Sequence, residues 1–182
     1  MSFDEFFAEC ALHSDHGVQI REIIPAIQES LANTPAECPA LEIGNREGGS
    51  TALIMWHLAN EAKGRRMVTV DTNTGMPVFM TETASRFGIV NDYHPNTTQE
   101  TFVVETQEKF GFIFLDADHN YHFCKRDIEV LSKKVAKGCV IVVDDVKGWP
   151  ELPDMTGVGL ERVEYSDLPE ASLGHIAFYK KT

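Results

Sequence analysis

The sequence predicts a doubly wound α/β domain with a mostly parallel sheet and an antiparallel strand at its C-terminal edge. Three observations carry this. From residue 39 onward, short apolar runs alternate with segments of helical periodicity. The runs are apolar at successive positions, as strands covered by helices on both faces must be. The last two runs have no helical pattern between them, so they pair antiparallel at one edge. The 182 residues suit one domain, and a domain of this size buries roughly 70% of its unfolded surface.

In order along the chain, 3–13 and 18–32 are amphipathic helical stretches, the second stopped by Asn33-Thr34-Pro35. Residues 1–36 thus form N-terminal helices and 37–182 a ligand-binding core. Strand 40–43 leads into helix 50–62, strand 67–70 into helix 77–87, and strand 89–93 into helix 99–109. Strand 111–115, helix 121–135 and strand 139–143 follow, and 160–165 and 175–179 are the closing pair. Pro150 and Pro153 oppose a regular helix after Asp145, so 147–159 reads as a loop. Within helix 50–62, Trp56 is expected in the core and His57 at the surface. No repeat, linker or low-complexity segment is present.

Composition removes several function classes. The net charge of −12 opposes nucleic-acid binding, which rests on Lys and Arg neutralising phosphates. Acids near the start are wrong for a signal peptide, and no run of ~18 apolar residues offers a membrane span. A cytoplasmic protein is expected. Cys10, Cys38, Cys124 and Cys139 have neither metal-binding spacing nor disulfide density, and read as reduced thiols.

In doubly wound sheets ligands sit beyond the carboxyl ends of the strands. Four segments qualify: 42–50, 71–74, 116–120 and 144–145. The first, Glu42-x-Gly44-x-x-x-Gly48-Gly49-Ser50-Thr51, runs from a strand into a helix with glycines where backbone can approach a ligand closely. It is neither the dinucleotide fingerprint nor a phosphate loop, since no Lys precedes Ser50. A tight packing turn is the plain alternative, but it leaves Glu42 without a partner. Asp71, ending the second strand, stands where a nucleotide site needs an acceptor for ribose hydroxyls; capping the next turn is its other reading. Residues 112–121 deliver Asp116, Asp118 and His119 into one corner, and Asp144-Asp145 follow the neighbouring strand. Carboxylates so close raise one another's pKa unless a cation lies between them, and such a donor set suits Mg²⁺ or Mn²⁺. Capping of the following helix, by Asp118 for instance, explains single acids but not their convergence.

Taken together, Leu41-Glu42-Ile43-Gly44 to Thr51, Val68 to Asp71, Leu115-Asp116-Ala117-Asp118-His119-Asn120-Tyr121 and Val142-Val143-Asp144-Asp145 resemble the class I S-adenosylmethionine-dependent methyltransferases, with their Rossmann-like fold. The similarity is greatest to cation-dependent small-molecule O-methyltransferases of the caffeoyl-CoA, catechol and macrocin types. It spans roughly residues 39–146. The resemblance implies that Glu42, Gly44, Gly48 and Ser50 line the methionine half of S-adenosylmethionine, that Asp71 holds the ribose and that Asn96 lies near the adenine. It implies Asp116, Asp144 and Asp145 as ligands of Mg²⁺ or Mn²⁺. For the base it leaves His119 and Asp118 both in play, with His119 preferred because an imidazole titrates near neutral pH. The implied partner is a small hydroxylated acceptor. A metal-independent methyltransferase and a cofactor-binding or assembly protein without methyl transfer are the alternatives. A nicotinamide oxidoreductase is disfavoured by the glycine spacing. The apolar N-terminal helices are compatible with a homodimer or with capping of their own sheet, and Trp149 and Phe123 are candidate walls of an acceptor pocket.

Overall fold

The computed structural model describes residues 2–13, 19–166 and 175–182. Helix α1 (Phe3–Leu12) starts at a reciprocal cap. The Ser2 hydroxyl accepts from the Glu5 amide, and the Glu5 carboxylate accepts from the Ser2 amide at 2.7 Å. A 3-10 turn (Gln19–Ile23) feeds α2 (Ile24–Asn33), where Pro25 in the first turn removes a donor that would be unpaired anyway. The alternating elements are β1 (Ala40–Ile43), α3 (Gly49–Glu61), β2 (Met67–Val70), α4 (Val78–Phe87), β3 (Asn91–His94), α5 (Gln99–Glu105), β4 (Phe112–Leu115), α6 (Tyr121–Leu131) and β5 (Val140–Val143). After β5 comes the predicted loop with one 3-10 turn (Thr156–Val158), then β6 (Leu160–Val163) and β7 (Ala177–Lys181).

The seven strands lie in the order β3-β2-β1-β4-β5-β7-β6. β1 to β5 are parallel, and β7 runs antiparallel between β5 and β6. The expected antiparallel pairing at the C-terminal edge is therefore present, with the last strand entering beside β5 and β6 closing the edge. Side chains alternate in direction along each strand. Ala40, Met67, Phe112, Phe114, Val140 and Val142 join the core beneath α1, α2 and α3. Leu41, Ile43, Val68, Val70, Ile113, Leu115, Ile141 and Val143 pack on the opposite face with α5 and α6.

The N-terminal helices cap their own sheet. Phe6, Phe7, Cys10, Ala26, Ile27 and Leu31 are buried in that first core, and the Val140 amide donates to the buried Ser30 hydroxyl at 2.8 Å. Their apolar faces are thus occupied within the chain. The docking of α1 also overturns the expectation that His57 lies at the surface, while Trp56 packs against the core from its edge. His57 is 2% exposed, with Nδ1 2.8 Å from Glu61 Oε1, whereas Trp56 is only partly buried and packs on Phe3. One helical position separates the two by about 100°, and only the landing site of α1 decides which faces inward. All four cysteines are free and buried. Among the described residues no helix is long and apolar enough to cross a membrane.

Candidate active site

The chain leaves β1 for β2 on one side and β4 for β5 on the other, so the connections from these two paired strands diverge and a cleft opens beyond their carboxyl ends. Gly44 adopts φ +88°, and a Cβ there would stand 2.4 Å from the Asp116 carbonyl oxygen. Only glycine lets these two loops meet. Asp71, at the end of β2, ties the turn down: Oδ2 accepts from the Asn45 and Arg46 amides at 2.9 and 3.0 Å, and Oδ1 from the Asn73 amide at 2.8 Å. The first amide of α3, at Gly49, donates to the His13 carbonyl at 3.1 Å and so is used inside the protein.

Glu42 shares the sheet face of Ala40 and points beneath α3, fully buried. Its carboxylate accepts from the Ser50 hydroxyl at 2.5 Å and from the Thr51 hydroxyl. Burial pushes its pKa up to about 7, against the lowering effect of the two hydroxyls and with a smaller upward push from the Asp71 charge. Glu42 is the post on which the loop-to-helix junction is fixed rather than part of the cleft wall. Gly48, also expected in the wall, faces away from it; at φ +90° its missing side chain makes room for Met80.

On the other side, Asp116 and Asp144 follow the adjacent strands β4 and β5, and their carboxyls are close neighbours. Burial raises both carboxyl pKa values. The nearness of Asp144 drives Asp116 further up, while Asp145 does the same to Asp144. Asp144 Oδ1 is buried without a hydrogen-bond partner. Asp145 sits at φ +52°, a strained conformation for a residue with a side chain, and its Oδ2 lies 4.0 Å from His119 Nε2. Asp118 spends Oδ1 on the Asn120 amide at 2.8 Å, and Asn120, not Asp118, caps α6. The Trp149 indole donates to the His119 carbonyl at 2.9 Å and stacks edge-on with Tyr121, pinning the loop after β5 over this corner.

These groups share one cleft of about 930 Å³. Gly44, Ser50, Asp71, Asp116, Asp118, His119, Asp144 and Asp145 all line it. A methyltransferase-domain family model matches residues 41–146, more than half of the chain and the segment that builds every one of these walls. The chain belongs to the methyltransferase-domain family. This methyltransferase is also similar in fold to an O-methyltransferase from Bacillus cereus solved with SAH (TM-score 0.63, 18% identity, covering 100% of this chain and 93% of that one). It is similar to the O-methyltransferase TomG from Streptomyces achromogenes, solved with SAM (0.65, 16%, 100% and 91%). A putative O-methyltransferase from Klebsiella pneumoniae gives 0.60 at 15% identity over 98% and 89%. No curated protein matches the methyltransferase by sequence.

Asn96 falls outside the cleft. At φ +52° it makes the turn after β3, donates its amide to the Asn73 carbonyl, and lines a separate cavity of about 540 Å³ with His94 and Phe102. The residues after it, Thr97 to Glu100, reach the cleft instead, and His13 and Ile176, remote from every motif in sequence, line it as well. A signal existed for the first group. The cleft runs past every parallel strand end, so the segment after β3 belonged with the other four. It was weak because the segment after this strand, Pro95 to Gln99, carries neither a glycine loop nor an acid pair of the kind that marked the other strand ends.

Proposed function

We propose that this methyltransferase transfers the methyl group of S-adenosylmethionine to a hydroxyl of a small acceptor. One observation carries the reading: a single cleft joins the glycine loop and Asp71 to a corner holding an imidazole and four carboxylates. Gly44 and Ser50 would border the methionine half, with Glu42 and Gly48 shaping the loop from behind, and Asp71 would accept from the ribose hydroxyls through the lone pairs its amide contacts leave. The acceptor oxygen attacks the methyl carbon in line as the carbon–sulfur bond breaks, giving the methyl ether and S-adenosylhomocysteine. The proton goes to His119. His119 borders the cleft with its Nε2 4.0 Å from Asp145 Oδ2, while Asp118 has one oxygen committed to its own turn.

The same reading includes a divalent cation. Three oxygen donors from Asp116, Asp144 and Asp145, one with an orphaned buried Oδ1, are the chemistry Mg²⁺ or Mn²⁺ takes. Among the described residues no three ligating side chains already converge, and Asp145 is turned to His119. Asp116, Asp144 and Asp145 would hold the ion, which when bound supplies acidity to the acceptor hydroxyl. The buried free thiols support a reducing compartment such as the cytoplasm.

The test is methyl transfer from labelled S-adenosylmethionine to a panel of catechol, sugar and other small hydroxylated acceptors, with Mg²⁺ or with chelator. Activity that chelation removes and Mg²⁺ restores is expected, as is loss of turnover in Asp145→Ala with S-adenosylhomocysteine affinity kept within about threefold. Chelator-resistant turnover would remove the cation from this reading. Methylation of nitrogen acceptors alone would remove the O-methyl assignment, and tight cofactor binding with no transfer to any acceptor would leave a binding protein.

A further inference from the structure

Gln99 and Asp127 form a buried polar pair that the chemistry above leaves unused. Gln99, 6% exposed, lines the cleft, whereas Asp127, 1% exposed, sits on α6 outside it. Gln99 Nε2 donates to Asp127 Oδ2 at 2.8 Å. Asp127 Oδ1 accepts from Arg126 Nε at 3.0 Å and from its Nη2 at 2.8 Å. A carboxylate only accepts, so Gln99 must turn its NH₂ toward Asp127. The carbonyl Oε1 therefore faces the opposite way, toward the Asp118 amide, which donates at a long 3.4 Å. An amide otherwise free to present either end is locked by the chemistry of its neighbour, with acceptor capacity left on the oxygen.

The position gives this oxygen a use. The methionine end of the proposed donor belongs at the Gly44 loop and the ribose at Asp71, which leaves the end of the cleft between Thr97 to Gln99 and Ala117-Asp118 for the base. We propose that Asp127 is a positioning residue: it holds Gln99 Oε1 as the acceptor for the 6-amino group of adenine and thereby selects 6-amino over 6-oxo purines. The inference rests on the S-adenosylmethionine reading. A 6-oxo purine would set oxygen against oxygen and leave a buried acceptor unpaired, the situation that gives hydrogen-bonding sites their selectivity. In Asp127→Asn the new side chain offers a donor as well as an acceptor and no longer dictates the orientation of Gln99.

The experiment is calorimetric binding of S-adenosylhomocysteine and of its S-inosyl counterpart to wild type, Asp127→Asn, Gln99→Met and the double variant. Wild type should prefer the adenine ligand by about 30-fold or more. Each single variant should reduce that preference below about threefold, chiefly by weakening the adenine ligand, and the double variant should reduce it no further. A packing role for Asp127 would lower the melting temperature and weaken both ligands alike with their ratio kept, and that result overturns the proposal. If Asp127→Asn does not fold, Gln99→Met decides: a preference retained there also overturns it. Adenine binding without discrimination in the wild type defeats this inference alone, whereas binding of neither ligand defeats the cofactor reading beneath it.

Discussion

Replacing Glu42 by Gln should make the stability of this protein less dependent on pH, by an amount the structure fixes. The carboxyl is wholly buried, and folding raises its pKa from 4.5 to about 7. Between those values the folded chain binds a proton that the unfolded chain does not. The stability linked to that proton is fully present below about pH 4.5 and is lost as the pH rises to 7. The loss is about 3 kcal/mol, since each pH unit of difference is worth roughly 1.4 kcal/mol. Gln cannot ionise, is nearly isosteric, and still offers Ser50 or Thr51 an acceptor. The stability of Glu42→Gln relative to wild type should therefore rise by about 3 kcal/mol from pH 4.5 to 8, on top of a constant offset for the altered hydrogen bonds. Asp116 feels the Glu42 charge, and relief of that repulsion acts in the same direction. Urea denaturation of both proteins at unit steps of pH, with unchanged slopes, reads the difference directly. A difference that stays flat across the window would show that Glu42 keeps its proton or its charge throughout, and the description of the post under the loop would be wrong.

Asp71→Ala removes the carboxylate that holds three backbone amides and faces the cleft, and S-adenosylhomocysteine affinity should fall about 100-fold or more by calorimetry. An affinity within threefold of wild type would take the ribose away from Asp71. Gly44→Ala forces a Cβ against the Asp116 carbonyl in a left-handed conformation, and thermal or urea unfolding should show a loss of at least about 2 kcal/mol. Gly88→Ala is the comparison, because its φ is also positive but nothing lies within 4 Å of the added carbon, so its loss should stay near about 1 kcal/mol. Equal losses at the two glycines would mean that the β1 and β4 loops are not in contact as described.

The alternation of elements, the glycine loop, Asp71 and the two acid pairs were legible in the sequence because each rests on local chemistry. A run of apolar residues on both faces requires a covered strand, and polar residues just past such a strand fall at one edge of a parallel sheet. The bounds of the strands at 40–43 and 67–70 follow from that alone. Tertiary packing decided the rest. It turned Glu42 beneath α3 and out of the cleft, because the face a strand residue takes depends on which helix covers it. It left Asn96 outside the cleft and brought Thr97 to Gln99 into it, because a positive φ redirects the chain within one residue. It buried His57 and left Trp56 only partly buried through the landing of α1, and it joined Gln99 to Asp127, 28 residues along the chain, across two helices. Periodicity and motif spacing report the preferences of neighbours in sequence. Which buried polar groups become partners depends on distances between elements, and those exist only once the chain has folded.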